Sequence, residues 1–505
     1  MNNELEMKFV INGEGHSAFK ELLPKIANLL GEEGNIDVDY QRKQLTNQYF
    51  DTEDFFFSKH KFGFRVRGCN GEFEQTLKTQ GLTVGGLHQR GEYNVPIEGA
   101  QPDLTLFDTV SWPDNERSDA LNSRLVERFA TNFQRDQYQL TIGDDVLEVV
   151  FDKGEVITDN DSMPIDEVEI ELKHGDVKRV FQLARILNQH LSLRLSDTTK
   201  AAMGYTLMGE ARWTRKPLPE YLPLQAHCTT EDAFCAAVAC AVSHWQHHEQ
   251  VYMATNGLKY LDQVNEGLYL LMQSVSLYLP VLQCGPLLNL HKRLISYSRK
   301  WLWLTELHNI RFLRAKRGPF SHYLNEHDSL MSYLQGRKMG LLQGRSPEAL
   351  FFDSEANEIK ILTSEIIYFK PWRAEAHGAE KPVLEHAKGW LSQGWQNAMQ
   401  SLAQPEPLTQ THYIATENIL RQALTHGFLL AELFSDQRGE FRAPWLDILI
   451  GVEELKALIT LKKLLTDAEF DEDTELKSWT ADKLKSLLHV IERTRGVAIQ
   501  LEAYW

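Results

Sequence analysis

Charged and apolar residues alternate one by one at the start of the chain. From Glu4 to Phe9 the sequence reads Glu-Leu-Glu-Met-Lys-Phe. Because successive side chains of a β-strand point to opposite faces, this pattern predicts a strand with Glu4, Glu6 and Lys8 on one face. Two carboxylates at positions i and i+2 suit a hard divalent cation, and the neighbouring ammonium suits an anion held against that cation. This face is therefore a candidate site for a metal ion and an anion.

The same alternation recurs in six further segments of the first 200 residues. Two of these segments, residues 62–67 and 72–79, are separated by Cys69-Asn70-Gly71 and are predicted to form a hairpin. Both signs of charge are expected on strand after strand of one antiparallel sheet. The polar residues of these segments include Arg65, Arg67, Glu74, Thr76, Lys78, Arg90, Glu92, Arg135, Glu148, Asp152, Glu167, Glu169 and Glu171.

Arginine and glutamate dominate these polar faces, whereas the solvated face of an antiparallel sheet usually mixes Lys, Glu, Thr, Ser and Gln. Arginine is suited to bidentate phosphate contacts, and an eight-stranded barrel is about wide enough inside for one elongated ligand. If the charges point inward, two like charges about 6 Å apart repel by roughly 3 kcal/mol at an effective dielectric of about 20. The pattern favours a barrel that encloses a polyanion and a metal ion, with a merely solvated sheet as the alternative.

The order of these motifs resembles the CYTH superfamily, the triphosphate tunnel metalloenzymes. The resemblance runs from about residue 2 to residue 205 and ends with Lys200. It implies an α+β fold that begins with an eight-stranded antiparallel β-barrel, the tunnel, with flanking helices. It also implies metal-dependent chemistry on a triphosphate. The motifs that carry it are Glu4-x-Glu6-x-Lys8, Arg65-x-Arg67, Thr76-Leu77-Lys78, Arg90-x-Glu92, Arg135, Glu148, Asp152 and Glu167-x-Glu169-x-Glu171.

The resemblance also implies a role for each charged group. By analogy with the family, Glu4, Glu6, Glu169 and Glu171 are expected to hold Mg²⁺ or Mn²⁺, because hard cations prefer carboxylates. Lys8 and three further acids, Glu148, Asp152 and Glu167, are candidate catalytic residues. The three acids would complete the metal shell or orient the attacking water, and the sequence does not divide these roles among them. The cations expected to bind the triphosphate are Lys8, Arg65, Arg67, Lys78, Arg90, Arg135 and Lys200.

Inorganic triphosphate is the first expected substrate, hydrolysed to diphosphate and phosphate. A CYTH domain before a long helical region most resembles bacterial inorganic triphosphatases. Hydrolysis of thiamine triphosphate or a nucleoside triphosphate, and ATP cyclisation as in class IV adenylate cyclases, stay open as enzymatic alternatives. A non-enzymatic sensor of triphosphate or polyphosphate is an alternative of another class, since a sensor needs the cations but not all four metal-binding acids.

The periodicity changes beyond Lys200. The predicted domains are residues 1–205, a linker at 206–224 that is stiffened by three prolines, and a helical region at 225–505. Apolar residues recur there every three or four positions, which predicts an all-α helical bundle. The expected helices include residues 287–314, 384–402, 414–434 and 452–465.

A helical region of this size after a CYTH domain resembles the CHAD domain, and this implies polyphosphate binding. The resemblance depends on position rather than on a motif, because residues 260–269 lack the His and the arginine cluster of the family's first signature helix. Phosphate binding and a solvated helix surface are both open interpretations of a nearby basic run. This run comprises Lys292, Arg293, Arg299, Lys300, Arg311, Arg314, Lys316 and Arg317.

Composition excludes several other classes of protein. The net charge is −17, and residues 1–200 contain 22 Lys and Arg against 35 Asp and Glu. General nucleic-acid binding is not expected of so acidic a region. Five cysteines without a C-x-x-C spacing predict reduced thiols and a cytoplasmic protein. The longest apolar region, residues 268–282, is shorter than the roughly 20 residues of a membrane span, so no membrane segment is expected.

Overall fold

The computed structural model describes residues 2–31, 36–209, 213–375, 377–434, 438–467 and 474–505. Residues 210–212 of the predicted linker lie outside the described residues. The chain divides into two compact units. The first comprises Met1–Arg215, Glu249–Asn256 and Glu348–Phe369, and the second comprises Lys216–His248, Gly257–Pro347 and Lys370–Trp505. The domain boundaries at residues 205 and 225 stay a prediction.

The β-strands of the first unit form a closed antiparallel barrel. Eight strands follow one another around the barrel in the order β1-β9-β8-β7-β2-β3-β4-β6, and β6 pairs back with β1. Strands β10 and β5 extend the sheet beside β1 and β6. The predicted eight-stranded barrel is therefore confirmed. The strands are β1 Asn2–Ile11, β2 Asp37–Thr52, β3 Gly63–Cys69, β4 Glu72–Lys78, β5 Leu82–Val84, β6 Leu87–Ile97, β7 Leu125–Ile142, β8 Asp145–Ile157, β9 Ser162–His174 and β10 Leu193–Leu195.

The remaining regular structure of the described chain is helical. The α-helices are α1 Gly15–Leu22, α2 Ile26–Leu30, α3 Phe56–Lys59, α4 Ser118–Asn122, α5 Lys178–His190, α6 Lys200–Leu207, α7 Thr230–Thr255, α8 Lys259–Tyr278, α9 Gly285–Ser298, α10 Leu304–Leu313, α11 Ser321–Leu324, α12 Asp328–Gln343, α13 Pro347–Phe351, α14 Ser354–Phe369, α15 Trp372–Glu375, α16 Leu384–Leu402, α17 Gln410–Leu430, α18 Arg438–Asp467 and α19 Thr474–Ala498.

The apolar faces of the strands form the core between the barrel wall and its helices. Leu5, Met7 and Phe9 of β1 are buried in one cluster with Phe19 of α1 and Phe181 of α5. Removing each such side chain from water contributes about 1.5–3 kcal/mol. Because these alternate residues pack outward, the intervening polar residues of β1 point into the barrel.

Turn geometry and strand register place the polar motifs beside one another. The predicted hairpin forms as β3 and β4, with Asn70 and Gly71 in the turn at φ 53° and 87°. Positive φ is easy for glycine and tolerated by asparagine. Across β1 and β9 the register places Glu6 opposite Glu171 and Lys8 opposite Glu169. The first and last acidic motifs are thus neighbours.

The second unit is helical, as the sequence predicts. Helix α16 coincides with the expected helix at residues 384–402. The expected helix at residues 287–314 is instead divided into α9 and α10 by a 3₁₀ turn at Arg299–Trp301. Within the described part of the chain, no helix combines the length and the apolar character that a membrane span requires. The cytoplasmic location stays a prediction.

Candidate functional site: a charged tunnel

A cavity of about 270 Å³ lies inside the barrel, and its walls carry side chains from strands and from α6. The predicted residues that line it are Glu4, Glu6, Lys8, Arg65, Arg67, Lys78, Arg90, Arg135, Glu148, Glu169, Glu171 and Lys200. Asp152 and Glu167 do not line the cavity. Asp152 shares a strand face with Glu148 and Glu167 shares one with Glu169, and both buried carboxylates contact the ammonium of Lys200.

Acids and cations alternate at the end of the cavity near the start of β1. The Lys78 ammonium donates to both carboxylate oxygens of Glu4, at 2.5 and 2.7 Å, and Arg90 donates to Glu6 at 2.7 Å. Burial raises the pKa of Glu6, but the charges of Lys78 and Arg90 outweigh burial and lower it to about 2. Burial instead raises the pKa of Glu4, against the opposing charge of Lys78.

Glu171 occupies a less positive environment than Glu6, which faces it across the strand pair. Burial raises the pKa of Glu171 to about 7, and Lys173, which lies 2.7 Å from its carboxylate, offsets only part of that effect. The Lys173 ammonium also lies 3.3 Å from Glu148. Lys173 therefore forms ion pairs with two carboxylates at this end of the cavity.

A second acidic group surrounds the ammonium groups of Lys8 and Lys200. Lys200 lies 2.7 Å from Asp152 and 3.2 Å from Glu169, whereas Lys8 lies 2.5 Å from Glu167. Burial opposes ionisation of Glu169, but Lys200, Lys8 and Arg135 lower its pKa well below the usual range. Burial raises the pKa of Glu167 despite the same two lysines.

Both acidic groups of the tunnel, the one near the start of β1 and the one around Lys8 and Lys200, offer carboxylate oxygens. Such oxygens fit a hard divalent cation such as Mg²⁺ or Mn²⁺. Asp152, Glu167 and Glu169 each offer one oxygen, and these oxygens lie within 4.8 Å of one another. Only Glu169 of this trio belongs to the predicted metal-binding set. The other predicted ligands, Glu4, Glu6 and Glu171, line the cavity on β1 and β9. Their assignment to a metal stays a prediction.

The arginines of β3 lack the dense acidic pairing seen at the other cations. Burial, together with the charges of Arg65 and Arg135, lowers the pKa of Arg67. The Nε of Arg67 donates to Asn47 at 2.8 Å, while the buried Nε of Arg65 has no hydrogen-bond partner. Arg135 forms two hydrogen bonds of 2.7 Å with Asp152. Converging guanidinium groups with spare donors fit an anion.

The cavity also contains residues to which the sequence analysis gave no role. These are Tyr49, Glu74, Glu92, Asn94 and Lys173, together with backbone and small side chains. Lys173 continues the alternation of Glu167, Glu169 and Glu171 by one step, so the same strand period could have found it. Nothing in the sequence around Tyr49 distinguishes it from the other aromatic residues of the barrel.

Two solved structures are similar to parts of the chain. A putative adenylyl cyclase from Hippeastrum with a dominant triphosphatase activity is 16% identical, with a TM-score of 0.30, and the match covers 40% of this chain and 95% of that one. A CHAD domain from the plant Ricinus communis is 14% identical, with a TM-score of 0.40, and the match covers 58% of this chain and 99% of that one. At such TM-scores neither likeness carries an argument about function.

A curated protein is similar to the chain at higher sequence identity than these two structures. An inorganic triphosphatase from Haemophilus influenzae is 31% identical over 207 residues, which are 41% of this chain and 55% of that protein. The chain thus spans about half the length of this curated relative. The family model described as the CYTH domain matches residues 2–205, the range over which the sequence motifs indicate the same family. Residues 2–205 of this chain are therefore similar to the CYTH domain family over the whole of that range.

Proposed function

We propose that the tunnel binds inorganic triphosphate with Mg²⁺ or Mn²⁺ and hydrolyses a terminal phosphoanhydride, giving diphosphate and phosphate. The observation that carries this proposal is the convergence of Arg65, Arg67 and Arg135 on a cavity of about 270 Å³, where burial and the neighbouring positive charges together lower the pKa of Arg67. A polyanion in the cavity would remove that repulsion. The CYTH domain supports triphosphate chemistry, and the Haemophilus influenzae relative supports inorganic triphosphate as the substrate.

The cations of the tunnel bind the substrate and spread its charge. Arg65 and Arg67 on β3 offer guanidinium donors to the phosphate oxygens. Lys78 and Arg90 contact these oxygens from β4 and β6. Placing fixed positive groups where negative charge develops is the main electrostatic task in phosphoryl transfer.

The acids of the tunnel divide into metal ligands and groups that orient water. Glu4, Glu6, Glu169 and Glu171 would hold the cation, which when bound supplies charge neutralisation and lowers the pKa of the attacking water. Lys8 and Lys200 orient the carboxylates of Glu167 and Glu169 through short ion pairs. Glu148, Asp152 and Glu167 complete the ligand shell or orient the attacking water.

The deciding experiment is phosphate release by the purified full chain. The substrates are inorganic triphosphate, thiamine triphosphate, ATP and long-chain polyphosphate, each assayed with Mg²⁺, with Mn²⁺ and with a chelator. We expect metal-dependent release from inorganic triphosphate in preference to the other three. A preference for ATP or thiamine triphosphate would show that the proposed substrate is wrong. Formation of cyclic AMP from ATP would show that the proposed reaction is wrong.

The alternative without catalysis is a sensor, a protein that binds triphosphate and does not hydrolyse it. It would bind inorganic triphosphate tightly, as measured by calorimetry, and release no phosphate with either metal. The simultaneous presence of Glu4, Glu6, Glu169 and Glu171 around one cavity favours the enzyme, because binding alone needs only the cations. Tight binding without turnover at any tested pH would therefore reject the hydrolase.

For the second unit we propose polyphosphate as a partner of the basic surface near α10 and α12. Burial and the charges of Arg314 and Arg311 lower the pKa of Lys338, so three cations lie near one another there, of which Arg311 is paired with Asp262. We expect the double variant Arg314→Gln/Lys338→Gln to weaken polyphosphate binding in a fluorescence titration. The matched control is Lys485→Gln, an exposed lysine on α19. Equal binding by the two variants would favour a merely solvated surface.

A further inference from the structure

Helix α14 begins at Ser354, far beyond the end of β10 at Leu195 in sequence, yet it belongs to the first compact unit. Its Ile361 is fully buried in the same core cluster as Phe9 of β1 and Phe181 of α5. Arg185 of α5 donates to Glu358 of α14 at 3.0 Å. The helix is thus attached to the wall of the barrel by both apolar packing and an ion pair.

Asn357 of α14 completes the outer edge of β10. Its side-chain amide donates to the carbonyl of Leu193 at 2.6 Å, and its oxygen accepts from the amide of Leu195 at 2.9 Å. The other edge of β10 pairs with β1. Asn357 is 0% exposed, so its two hydrogen bonds satisfy backbone groups that water does not reach.

Ser364 of the same helix contacts the turn between β5 and β6. Its hydroxyl oxygen lies 2.7 Å from the carbonyl oxygen of Val84, 2.9 Å from that of Lys360 in its own helix and 3.2 Å from that of Gly85. Gly85 has φ +58°, and a Cβ built there would lie 2.5 Å from the Ser364 hydroxyl and 2.8 Å from the carbonyl of Lys360. The turn therefore lies directly against α14, with room for glycine only.

Hydrogen bonds connect the β5–β6 turn and the segment after β10 to the backbone of Lys8. The amide of Lys8 donates to the carbonyl of Gly86 at 3.0 Å, and the carbonyl of Lys8 accepts from the amide of Ser196 at 3.1 Å. The amide of Gly86 donates to the Asp197 carboxylate at 2.7 Å. The β5–β6 turn and the segment after β10 thus hold the Lys8 peptide from both sides, and Lys200 follows four residues after Ser196.

We propose that Asn357 and Ser364, here called the α14 clasp, are positioning residues that hold Lys8 and Lys200 in their working geometry. This inference rests on the proposed function of the tunnel. The clasp touches neither the cavity nor its acids; it acts through β10 and the β5–β6 turn. The β3 arginines lie on a strand that pairs with β2 and β4 and with none of β10, β5 and β6. Loss of the clasp should therefore slow the chemical step more than it weakens triphosphate binding.

The test compares three variants of the full chain. Ser364→Ala and Asn357→Leu remove the clasp, whereas Thr363→Val removes a buried hydroxyl whose hydrogen bond of 2.6 Å stays within the helix, to Ile359. We expect kcat with inorganic triphosphate to fall about tenfold in the two clasp variants, because small displacements of catalytic groups are costly. KM should change less than about twofold, and Thr363→Val should keep both constants.

Amide hydrogen exchange gives a second measurement that does not require activity. The Leu195 amide should exchange faster in Asn357→Leu, and the Lys8 amide faster in Ser364→Ala, with neither change in Thr363→Val. Faster exchange with an unchanged kcat would overturn the positioning role, as would kinetics equal to those of Thr363→Val. If the wild-type chain hydrolyses no triphosphate, the proposed function fails, whereas unchanged exchange at both amides would reject the clasp itself.

Discussion

At the scale of single residues, environment rather than residue type determines the charge of an acid in the tunnel. Glu6 and Glu171 face each other across β1 and β9. The pKa of Glu6 is about 2, because Lys78 and Arg90 outweigh its burial, whereas burial raises that of Glu171 to about 7. Two glutamates from similar sequence motifs thus have different protonation states at neutral pH.

The carboxylate of Glu6 can be tested by a nearly isosteric change. Glu6→Gln removes the negative charge that a hard cation needs while keeping the size of the side chain. We expect metal-dependent phosphate release to be abolished in a protein that still folds, with a lower unfolding temperature because the variant also weakens the buried ion pair with Arg90. The control is Glu155→Gln, an exposed glutamate on β8 that should keep full activity. Activity of Glu6→Gln at the wild-type level would refute the metal assignment.

Arg65 allows a complementary test on the cationic side. Loss of a charge-assisted hydrogen bond costs about 1.5–3 kcal/mol, which corresponds to a KM for triphosphate about ten- to a hundredfold higher in Arg65→Gln. The unfolding temperature of the ligand-free variant reports the balance between relieved repulsion toward Arg67 and lost attraction to Tyr49 and Glu92. Arg117→Gln, at an exposed ion pair, should match the wild type in both respects. An unchanged KM and kcat would remove Arg65 from the binding site.

At the scale of elements, polar side chains fix the ends of helices as well as the tunnel. Glu231 lies in the first turn of α7, where a carboxylate favours the positive end of the helix dipole. Its oxygens accept from Lys370 at 3.1 Å, from the Trp372 indole at 3.0 Å and from Arg373 at 2.9 Å. Glu231 thus joins the start of α7 to α15 within the second unit.

This cluster predicts a pH dependence of stability. Hydrogen bonds from Arg373, which outweigh burial, lower the pKa of Glu231 from 4.5 to about 2. A lowered pKa stabilises the folded form above pH 4.5, and that contribution is lost as the pH falls toward 2. It is at most about 3 kcal/mol, and smaller because the Arg373 side chain is 60% exposed.

Thermal unfolding of Glu231→Gln between pH 2 and 7 measures this contribution. The variant should unfold at a lower temperature than the wild type at pH 7, and the two curves should converge as the pH approaches 2. Glu385→Gln, also in the first turn of a helix, is the control and should follow the wild type. A difference that stays constant over the whole range would contradict the pH dependence.

At the scale of the whole molecule, the first compact unit is assembled from three separate segments of the chain. It includes Glu249–Asn256 and Glu348–Phe369 besides the first 215 residues. The fully buried Lys360 of α14 donates to the fully buried Glu249 at 2.6 Å, so the two added segments are also bonded to each other. A fragment that ends at residue 215 lacks both segments.

We expect that fragment to be less stable than the same unit in the full chain. Without α14 the edge of β10 loses Asn357, and the core around Phe9 loses Ile361. Differential scanning calorimetry should detect a lower unfolding temperature, and an apolar dye should bind more strongly to the fragment. A fragment with the unfolding temperature and turnover of the full chain would contradict this expectation.

The sequence predicts the tunnel far better than it predicts what surrounds it. Strand residues alternate with a period of two, so the sequence alone assigns Glu4, Glu6 and Lys8 to one face. The same period does not distinguish a residue that lines the cavity from Asp152, which is buried on the same strand face without lining it. Helix α14 could be recognised as a helix, but its docking on β10 depends on contacts between residues 162 and 164 positions apart, which leave no local pattern.

The attachment of α14 also determines when the barrel can be completed during protein synthesis. At about 5–20 residues per second, the ribosome needs roughly 7–27 s to proceed from residue 215 to residue 348. During that interval all strands have been made, yet the outer edge of β10 lacks Asn357. An open strand edge can pair with another chain. The nascent barrel is therefore most exposed to misassociation while the ribosome is making a different part of the protein.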